Sequence, residues 1–116
     1  MTAPVVTTVP VVREYRPGSI EQYICSLPWD CATALCIARR ESGTDRDGNL
    51  DGWWATNGEG QWAVYGLFQL RAYYHAPKFP DFWEKWMDPY RNADYAYAIY
   101  QESGWSPWDG SPGCWP

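Results

Sequence analysis

The sequence has no surplus of positive charge and no long apolar run. Nine Lys and Arg residues stand against fourteen Asp and Glu residues, which gives a formal net charge of −5. A chain without a basic stripe gains nothing from counterion release at a phosphate backbone, so this balance argues against nucleic acid as a partner. No apolar run approaches the roughly 20 residues needed to cross a bilayer, so we expect no membrane span.

Cysteines are few, and their spacing does not suit zinc. Cys25, Cys31, Cys36 and Cys114 include no Cys-x-x-Cys pair, and the single histidine, His75, is far from all four in sequence. We therefore expect no metal and no cofactor. An even cysteine count in a small chain is typical of a disulfide-stapled extracytoplasmic domain. Three pairings are possible, and we favour Cys36 with Cys114 and Cys25 with Cys31.

Aromatic residues are abundant, but few of them are phenylalanine. There are nine Trp and nine Tyr against three Phe, so most rings carry a hydrogen-bonding edge. Such rings pack in cores, and they also suit sugars, whose apolar faces stack while their hydroxyls need partners. Trp53, Trp54 and Trp62 flank a turn-rich loop and are candidates for sugar stacking, with core packing as the alternative for each. Tyr65 and Tyr73 are further candidates.

The composition divides the chain into an arm and a body. Residues 1–18 are rich in Thr, Pro and Val, which predicts an extended arm or linker. This arm has neither a basic start nor a continuous apolar core, so it is not a recognisable secretory signal. Residues 19–116 have the length and apolar content of one compact domain.

Turn and cap residues predict a mainly α domain, of the α+β kind, with a small irregular part. Ser19 and Gln22 have the spacing of a capping box, and Asp30 and Asp88 precede apolar periodic segments as N-caps. Between residues 43 and 61, repeated Asp-Gly and Asn-Gly pairs predict a loop or a short β-hairpin. The expected helices cover residues 19–25, 31–41, 64–74, 81–87 and 89–103.

The same loop matches half of a calcium-binding motif. Asp47-x-Asn49-x-Asp51 has the spacing of an EF-hand loop, but Gly58 stands where the bidentate Glu belongs and Glu59 comes one place late. Turns of Asp, Asn and Gly without metal are far commoner. We therefore favour a turn without metal and keep calcium binding as the alternative. An increase in melting temperature on addition of calcium would support calcium binding.

Glu41 is the candidate acid. It ends the helix-patterned stretch that begins at Cys31 and is followed at once by Ser42 and Gly43. A carboxyl group at a helix end beside a cleft can be partly desolvated, which raises its pKa toward the working range of a general acid. The alternative is an exposed carboxylate at the end of a helix.

Three blocks in the chain resemble one known family. In order they are Glu41-Ser42-Gly43, then Gly66-Leu67-Phe68-Gln69, then Asn92-Ala93 in a helix followed by Gly104-Trp105-Ser106-Pro107-Trp108. This order resembles the soluble lytic transglycosylase family of the lysozyme superfamily. The ending, with the late Cys114, is similar to resuscitation-promoting factors and to compact phage lysins. The resemblance covers about residues 30–115.

The resemblance implies a lysozyme-like enzyme that acts outside the cytoplasm on peptidoglycan glycan strands. The bond cleaved would be the β-1,4 link between N-acetylmuramic acid and N-acetylglucosamine. By position, Glu41 matches the catalytic acid, Gln69 a substrate contact and Asn92 the start of a packing helix behind the cleft. The chain lacks the Ala-Tyr-Asn-Ala-Gly segment of larger transglycosylases, and Tyr97 or Tyr65 would have to replace its tyrosine.

A lytic transglycosylase is the enzyme that we expect, and a hydrolytic lysozyme is the alternative. A transglycosylase needs one carboxyl group, because the substrate's acetamido group can stabilise the anomeric carbon and its own 6-hydroxyl can close a 1,6-anhydro ring. A hydrolytic lysozyme commonly uses a second carboxylate, for which Asp51 and Glu59 are candidates. Their surroundings favour solvated turn residues instead. Two alternatives to an enzyme are an inactive sugar-binding module and a structural part of a phage particle or secretion machine. We expect the protein to be a monomer.

Overall fold

The computed structural model describes residues 16–110 and 113–115, so nearly all of the predicted arm lies outside the described residues. The described helices are α1 Ser19–Ser26, α2 Cys31–Ser42, α3 Ala72–His75, α4 Phe82–Lys85 and α5 Pro89–Ser103. The described strands β1 Thr56–Asn57, β2 Val64–Tyr65 and β3 Leu70–Arg71 form one antiparallel sheet in that order. The fold is mainly α with a small sheet, as the sequence predicts.

Helix α2 begins and ends where its cap residues predict. The Asp30 carboxylate accepts a hydrogen bond of 2.9 Å from the Thr33 amide, which satisfies a free donor of the first turn. Gly43 ends the helix with a φ of 83°, a value that favours glycine. Glu41 is therefore the penultimate residue of the helix.

Helix α5 also follows its prediction. Asp88 accepts hydrogen bonds from two amides of the first turn, and Pro89 occupies the first helical position. Gly104 ends the helix with a φ of 64°. Ala93 and Ala96 are completely buried, so small side chains let this helix approach the core closely.

The prediction of one helix at residues 64–74 is wrong. Residues 64–65 and 70–71 are strands, and only Ala72–His75 is helical. The chain turns between the strands, with φ values of 79° at Gly66 and 50° at Gln69 that no right-handed helix contains. The Gly66 amide donates to the Ala55 carbonyl at 2.7 Å, so the backbone hydrogen bond runs to the neighbouring loop.

Two smaller expectations also fail. The N-cap of α1 is Gly18, without a side-chain cap, and the Ser19 hydroxyl lies 2.9 Å from the Tyr90 hydroxyl of α5 instead of forming a capping box. Helix α4 is shorter than residues 81–87. Asp81 does not cap it, because its carboxylate accepts hydrogen bonds from Arg91 and Tyr95.

Aromatic packing and two disulfides hold the core together. Trp29 is buried at the centre of an aromatic cluster and packs against Phe68, Tyr100 and Trp105. The disulfides are Cys25–Cys31 and Cys36–Cys114, the pairing that the sequence favours. The second attaches the C-terminal segment to α2.

Among the described helices, none is long and apolar enough to cross a membrane.

Candidate active site

Glu41 lines a cleft of about 500 Å³. The cleft lies between the end of α2, the strands β2 and β3, helix α3 and the segment that follows α5. Its described lining residues are Glu41, Val64, Gln69, Leu70, Arg71, Tyr74, His75, Pro107, Trp108 and Gly110. This lining is partly apolar and includes one carboxylate, one carboxamide, one guanidinium and one imidazole.

The end of α2 is attached directly to the turn between β2 and β3. The Ser42 hydroxyl oxygen lies 2.8 Å from the Leu67 carbonyl oxygen and 3.1 Å from the Ala38 carbonyl oxygen. Ser42 follows Glu41, and Leu67 precedes Gln69 by two residues. The contact therefore joins the helix end that carries Glu41 to the turn that carries Gln69.

The turn is also held from α5 by Asn92, which is fully buried. Its carboxamide oxygen accepts from the Phe68 amide at 2.9 Å, and its nitrogen donates to the carbonyls of Tyr65 and Trp86 at 3.2 and 3.1 Å. One side chain thus satisfies three buried backbone groups. The Trp108 indole N–H donates to the Phe68 carbonyl at 3.1 Å, so the segment after α5 is attached to the same turn.

Gln69 enters the cleft from a left-handed backbone conformation. Its side-chain nitrogen donates to the Ala55 carbonyl at 3.0 Å and to the Gly66 carbonyl at 2.9 Å. A carboxamide nitrogen has two hydrogens, so both donors are already used inside the protein. The carboxamide oxygen is the group with which Gln69 can meet a ligand hydroxyl.

Strand β3 and helix α3 contribute cleft residues that the sequence did not indicate. Arg71, Tyr74 and His75 all line the cleft. His75 reads from the sequence as a surface or structural histidine, but its ring is half-buried and its Nδ1 is buried without a hydrogen-bond partner among the described residues. Burial, with the nearby Lys78 ammonium, lowers the pKa of His75 to about 4, so the ring is neutral at neutral pH. No local motif signals these roles, because they depend on where the short α3 packs.

The candidate sugar-stacking residues lie outside the lining of the cleft. Trp54 and Trp62 are exposed, and Trp53 is half-buried against the core. Tyr65 is buried and donates its hydroxyl to the Gly60 carbonyl at 2.8 Å. Tyr97 packs edge-on against Trp29 in the aromatic cluster.

The candidate second carboxylates also lie outside the described lining of the cleft. Asp51 and Glu59 are both exposed, and each stands at the start of a single 3-10 turn. The loop after Asp51 nevertheless packs tightly on α2. A Cβ atom added to Gly52 would lie 2.6 Å from the Ser42 hydroxyl oxygen and closer still to the Ser42 carbonyl oxygen.

The loop proposed as a calcium half-site is organised by a residue outside the motif. The Asp45 carboxylate accepts from the backbone amides of Asp47 and Asn49, both at 2.9 Å. The hydrogen bond from Asn49 lowers the pKa of Asp45, so this carboxylate stays charged and keeps the turn closed. The turn therefore has a structural basis without a metal.

The cleft lies within a stretch of sequence that matches a known family. A sequence model described as a lysozyme-like domain matches residues 25–110, which is most of the chain and includes every cleft residue named above. Searches of curated proteins and of solved structures found no match. Such a domain supports peptidoglycan glycosidase activity as the general class. The chain belongs to the lysozyme-like domain family.

Proposed function

We propose that the protein is a lytic transglycosylase that cleaves the β-1,4 bond between N-acetylmuramic acid and N-acetylglucosamine, with Glu41 as general acid and then general base. One observation carries the proposal. Among the described residues that line the cleft, Glu41 is the sole carboxylate. A mechanism that uses one carboxyl group fits this lining better than one that uses two.

In the first step Glu41 acts as the acid. Its carboxyl proton passes to the glycosidic oxygen as the bond from that oxygen to C1 of N-acetylmuramic acid breaks, and the N-acetylglucosamine side leaves with a free 4-hydroxyl. The acetamido oxygen of the same muramic acid stabilises the cationic C1. Leu70 and Trp108 line the same cleft as Glu41, so part of the surface that would surround the reacting sugar is apolar.

In the second step the Glu41 carboxylate acts as the base. It removes the proton from the 6-hydroxyl of the muramic acid, whose oxygen attacks C1 and displaces the acetamido oxygen. A 1,6-anhydro ring closes, and Glu41 is again protonated. No water molecule is consumed, which agrees with the position of Asp51 and Glu59 outside the lining.

Other cleft residues have binding roles in this proposal. The Gln69 oxygen accepts a hydrogen bond from a sugar hydroxyl, since its nitrogen is already committed. The neutral His75 ring adds a polar edge without charge. Trp54 and Trp62, which are exposed, are our candidates for stacking along the strand, whereas Trp53 contacts the core.

The disulfides support a working place outside the cytoplasm. Both pairs join cysteines of the same domain, and disulfides of this kind persist in oxidising compartments. Peptidoglycan lies outside the cytoplasmic membrane as well. We therefore propose an extracytoplasmic location.

The test is digestion of purified peptidoglycan, with the soluble products read by mass spectrometry. The wild-type chain should release fragments with 1,6-anhydromuramic ends, and Glu41→Gln should release none while keeping its fold by circular dichroism. Glu84→Gln is the matched control, because it makes the same chemical change at an exposed position of α4. It should retain full activity.

Other products would overturn the proposal in defined ways. Reducing ends would show a hydrolase, and Asp51→Asn and Glu59→Gln would then identify the second carboxylate. Fragments released equally by Glu41→Gln would exclude Glu41 as the acid. Binding of peptidoglycan by the wild-type chain without any cleavage would show a sugar-binding module.

A further inference from the structure

A second, smaller depression of about 230 Å³ lies next to the cleft along α3. Tyr73 and Tyr74 are neighbours in this helix, and their rings are 5.1 Å apart. Tyr74 lines the cleft, whereas Tyr73 lines the second depression. The lining residues of the depression are Gln61, Ala72, Tyr73, Ala76, Pro77 and Trp83.

We propose that this depression is an accessory site that holds one uncharged N-acetylated sugar unit of a glycan strand while another part of the strand occupies the cleft. The inference rests on the proposed function for the class of ligand. Its volume lies below the roughly 300–1,000 Å³ of pockets for drug-sized ligands, which suits a single sugar ring. The six lining residues carry no charge, which favours a neutral ligand over a phosphate or a charged peptide.

The aromatic rings of the depression are exposed although they are large. Tyr73 is 45% exposed and Trp83 is 53% exposed. Rings of this size with a polar edge suit the apolar face of a pyranose. The Gln61 carboxamide adds the donor and acceptor that sugar hydroxyls or an acetamido group require.

These rings are held in place before any ligand arrives. Tyr73 is stacked on Trp62 with ring centres 4.2 Å apart and planes within 17°. Trp83 packs edge-on against Tyr65 at 5.3 Å and against Phe82 at 5.4 Å. A preorganised surface loses little conformational entropy on binding, so a small contact area can still contribute affinity.

The depression and the cleft are separate, but residues of the same elements connect them. Arg71 lines the cleft, and its guanidinium donates to the carbonyl of Trp62, the residue on which Tyr73 stacks. The two sites therefore share both α3 and this hydrogen bond. For an insoluble polymer, a second contact on the same strand raises the effective concentration of the bond to be cleaved. This arrangement favours a glycan over an unrelated protein as the occupant.

The test uses the full chain carrying Glu41→Gln, so that bound sugar is not cleaved. Titration with N-acetylglucosamine trisaccharide should shift the NMR signals of the Trp83 indole and the Gln61 side-chain amide. Adding Trp83→Ala should weaken binding to insoluble peptidoglycan roughly five- to tenfold, the loss expected for one aromatic contact. Gln61→Ala, at an exposed position, should weaken it less and covers the case in which Trp83→Ala does not fold.

Met87→Ala is the control, because Met87 is exposed and apolar and lines neither site. It should leave the affinity unchanged. Unshifted Trp83 and Gln61 signals would overturn the accessory site. So would an affinity for peptidoglycan in both the Trp83→Ala and the Gln61→Ala chains that equals the affinity of the chain carrying Glu41→Gln alone. A loss of affinity in Met87→Ala as large as that in Trp83→Ala would also overturn it.

A second readout separates this inference from the proposed function. With Glu41 restored, Trp83→Ala should slow the digestion of insoluble peptidoglycan but not the cleavage of a soluble tetrasaccharide fragment. Equal slowing on both substrates would overturn the accessory site and leave the transglycosylase intact. A wild-type chain that shifts the Trp83 signal with sugar but cleaves nothing would overturn the proposed function and keep the accessory site.

Discussion

The Ser42 hydroxyl oxygen lies 2.8 Å from the Leu67 carbonyl oxygen, across 25 residues of sequence. This contact joins the helix that carries Glu41 to the turn that carries Gln69. Asn92 and Trp108 hold the same turn from the other side. The blocks that resemble one family in sequence are therefore also one hydrogen-bonded unit in the fold.

Ser42→Ala should reduce activity more than stability. Removing the hydroxyl leaves the Leu67 carbonyl unpaired at a half-buried position, which costs about 1 kcal/mol. The lytic rate should fall roughly tenfold, less than the ~10²-fold loss that follows a full 1 Å misplacement of a catalytic group. Urea unfolding and digestion of peptidoglycan measure the two effects.

Ser26→Ala is the matched control for Ser42→Ala. Its hydroxyl also donates to a carbonyl, that of Tyr23 at 2.6 Å, but at an exposed position outside the cleft. Full activity is expected in this variant. Equal activity losses in the two serine variants would show that the Ser42 contact does not position the site.

Gly66→Ala should destabilise the protein far more than Gly48→Ala. Both glycines have positive φ values, 79° and 87°, so both substitutions carry the backbone cost of about 1 kcal/mol. A Cβ atom on Gly66 would in addition lie 2.6 Å from the Trp86 carbonyl oxygen and closer still to the Asn92 side chain, whereas the space beside Gly48 is open. Crowding in a packed interior adds about 1–3 kcal/mol.

The comparison of the two glycine variants separates crowding from backbone strain. Thermal unfolding of both should show a clearly lower Tm for Gly66→Ala. Equal losses would mean that Asn92 and Trp86 can move away without cost, and the turn would then not be rigidly held by α5.

The elements that sequence predicts well are those with local causes. Helices α2 and α5 have Asp as N-cap and Gly as C-cap, and their bounds follow from these residues alone. The sequence does not predict the strands of residues 64–71, because the turn between them is hydrogen-bonded to Asn92, more than twenty residues away. An apolar run that packs against a distant side chain shows the same composition whether it is a helix or two strands.

The residues of the site also divide into those with a local signal in the sequence and those positioned by tertiary packing. Glu41 is predicted from its place at a helix end as well as from the family resemblance, Gln69 is predicted from the resemblance alone, and both line the cleft. The sequence does not indicate Arg71 and His75, because Arg71 lies in a strand of two residues and His75 in a helix of four, and tertiary packing sets the position of both elements. Trp53, Trp54 and Trp62 are predicted to stack on sugars because they lie near the loop in sequence. Proximity in sequence does not determine which side of the sheet a ring faces.

The two disulfides should contribute unequally to stability. Cys36–Cys114 spans 78 residues and Cys25–Cys31 spans 6. The chain-entropy relation gives about 4.5 kcal/mol for the long loop and about 2.2 kcal/mol for the short one. Removing the first pair by double Cys→Ala substitution should therefore lower the free energy of unfolding about twice as much.

Urea unfolding of the two double variants measures this difference. Each variant keeps the other disulfide, so each serves as the control for the other. A larger loss for the Cys25 and Cys31 variant would show that the short bridge acts through native packing at the start of α2 and not through the unfolded chain.

His75 should make the protein less stable in mild acid. Burial first, and then Lys78, lower the pKa of the folded ring from 6.5 to about 4, while Glu102 opposes the shift. Between pH 6.5 and about pH 4, His75 of the unfolded chain binds a proton that His75 of the folded chain does not. The free energy of unfolding therefore falls as the pH is lowered through this range. The contribution of His75 to the free energy of unfolding is complete above pH 6.5 and is lost by about pH 4.

The size of this effect is limited by the partial exposure of the ring. The full shift would correspond to about 3.4 kcal/mol, and screening by solvent reduces it to roughly 1–2 kcal/mol. Urea unfolding at pH 7, 5.5 and 4 should show this loss in the wild-type chain beyond that in His75→Gln. Acidic residues titrate in both chains and cancel in the difference. Parallel pH curves would mean that protonated His75 reaches solvent without cost, and its buried Nδ1 would then have no effect on the cleft.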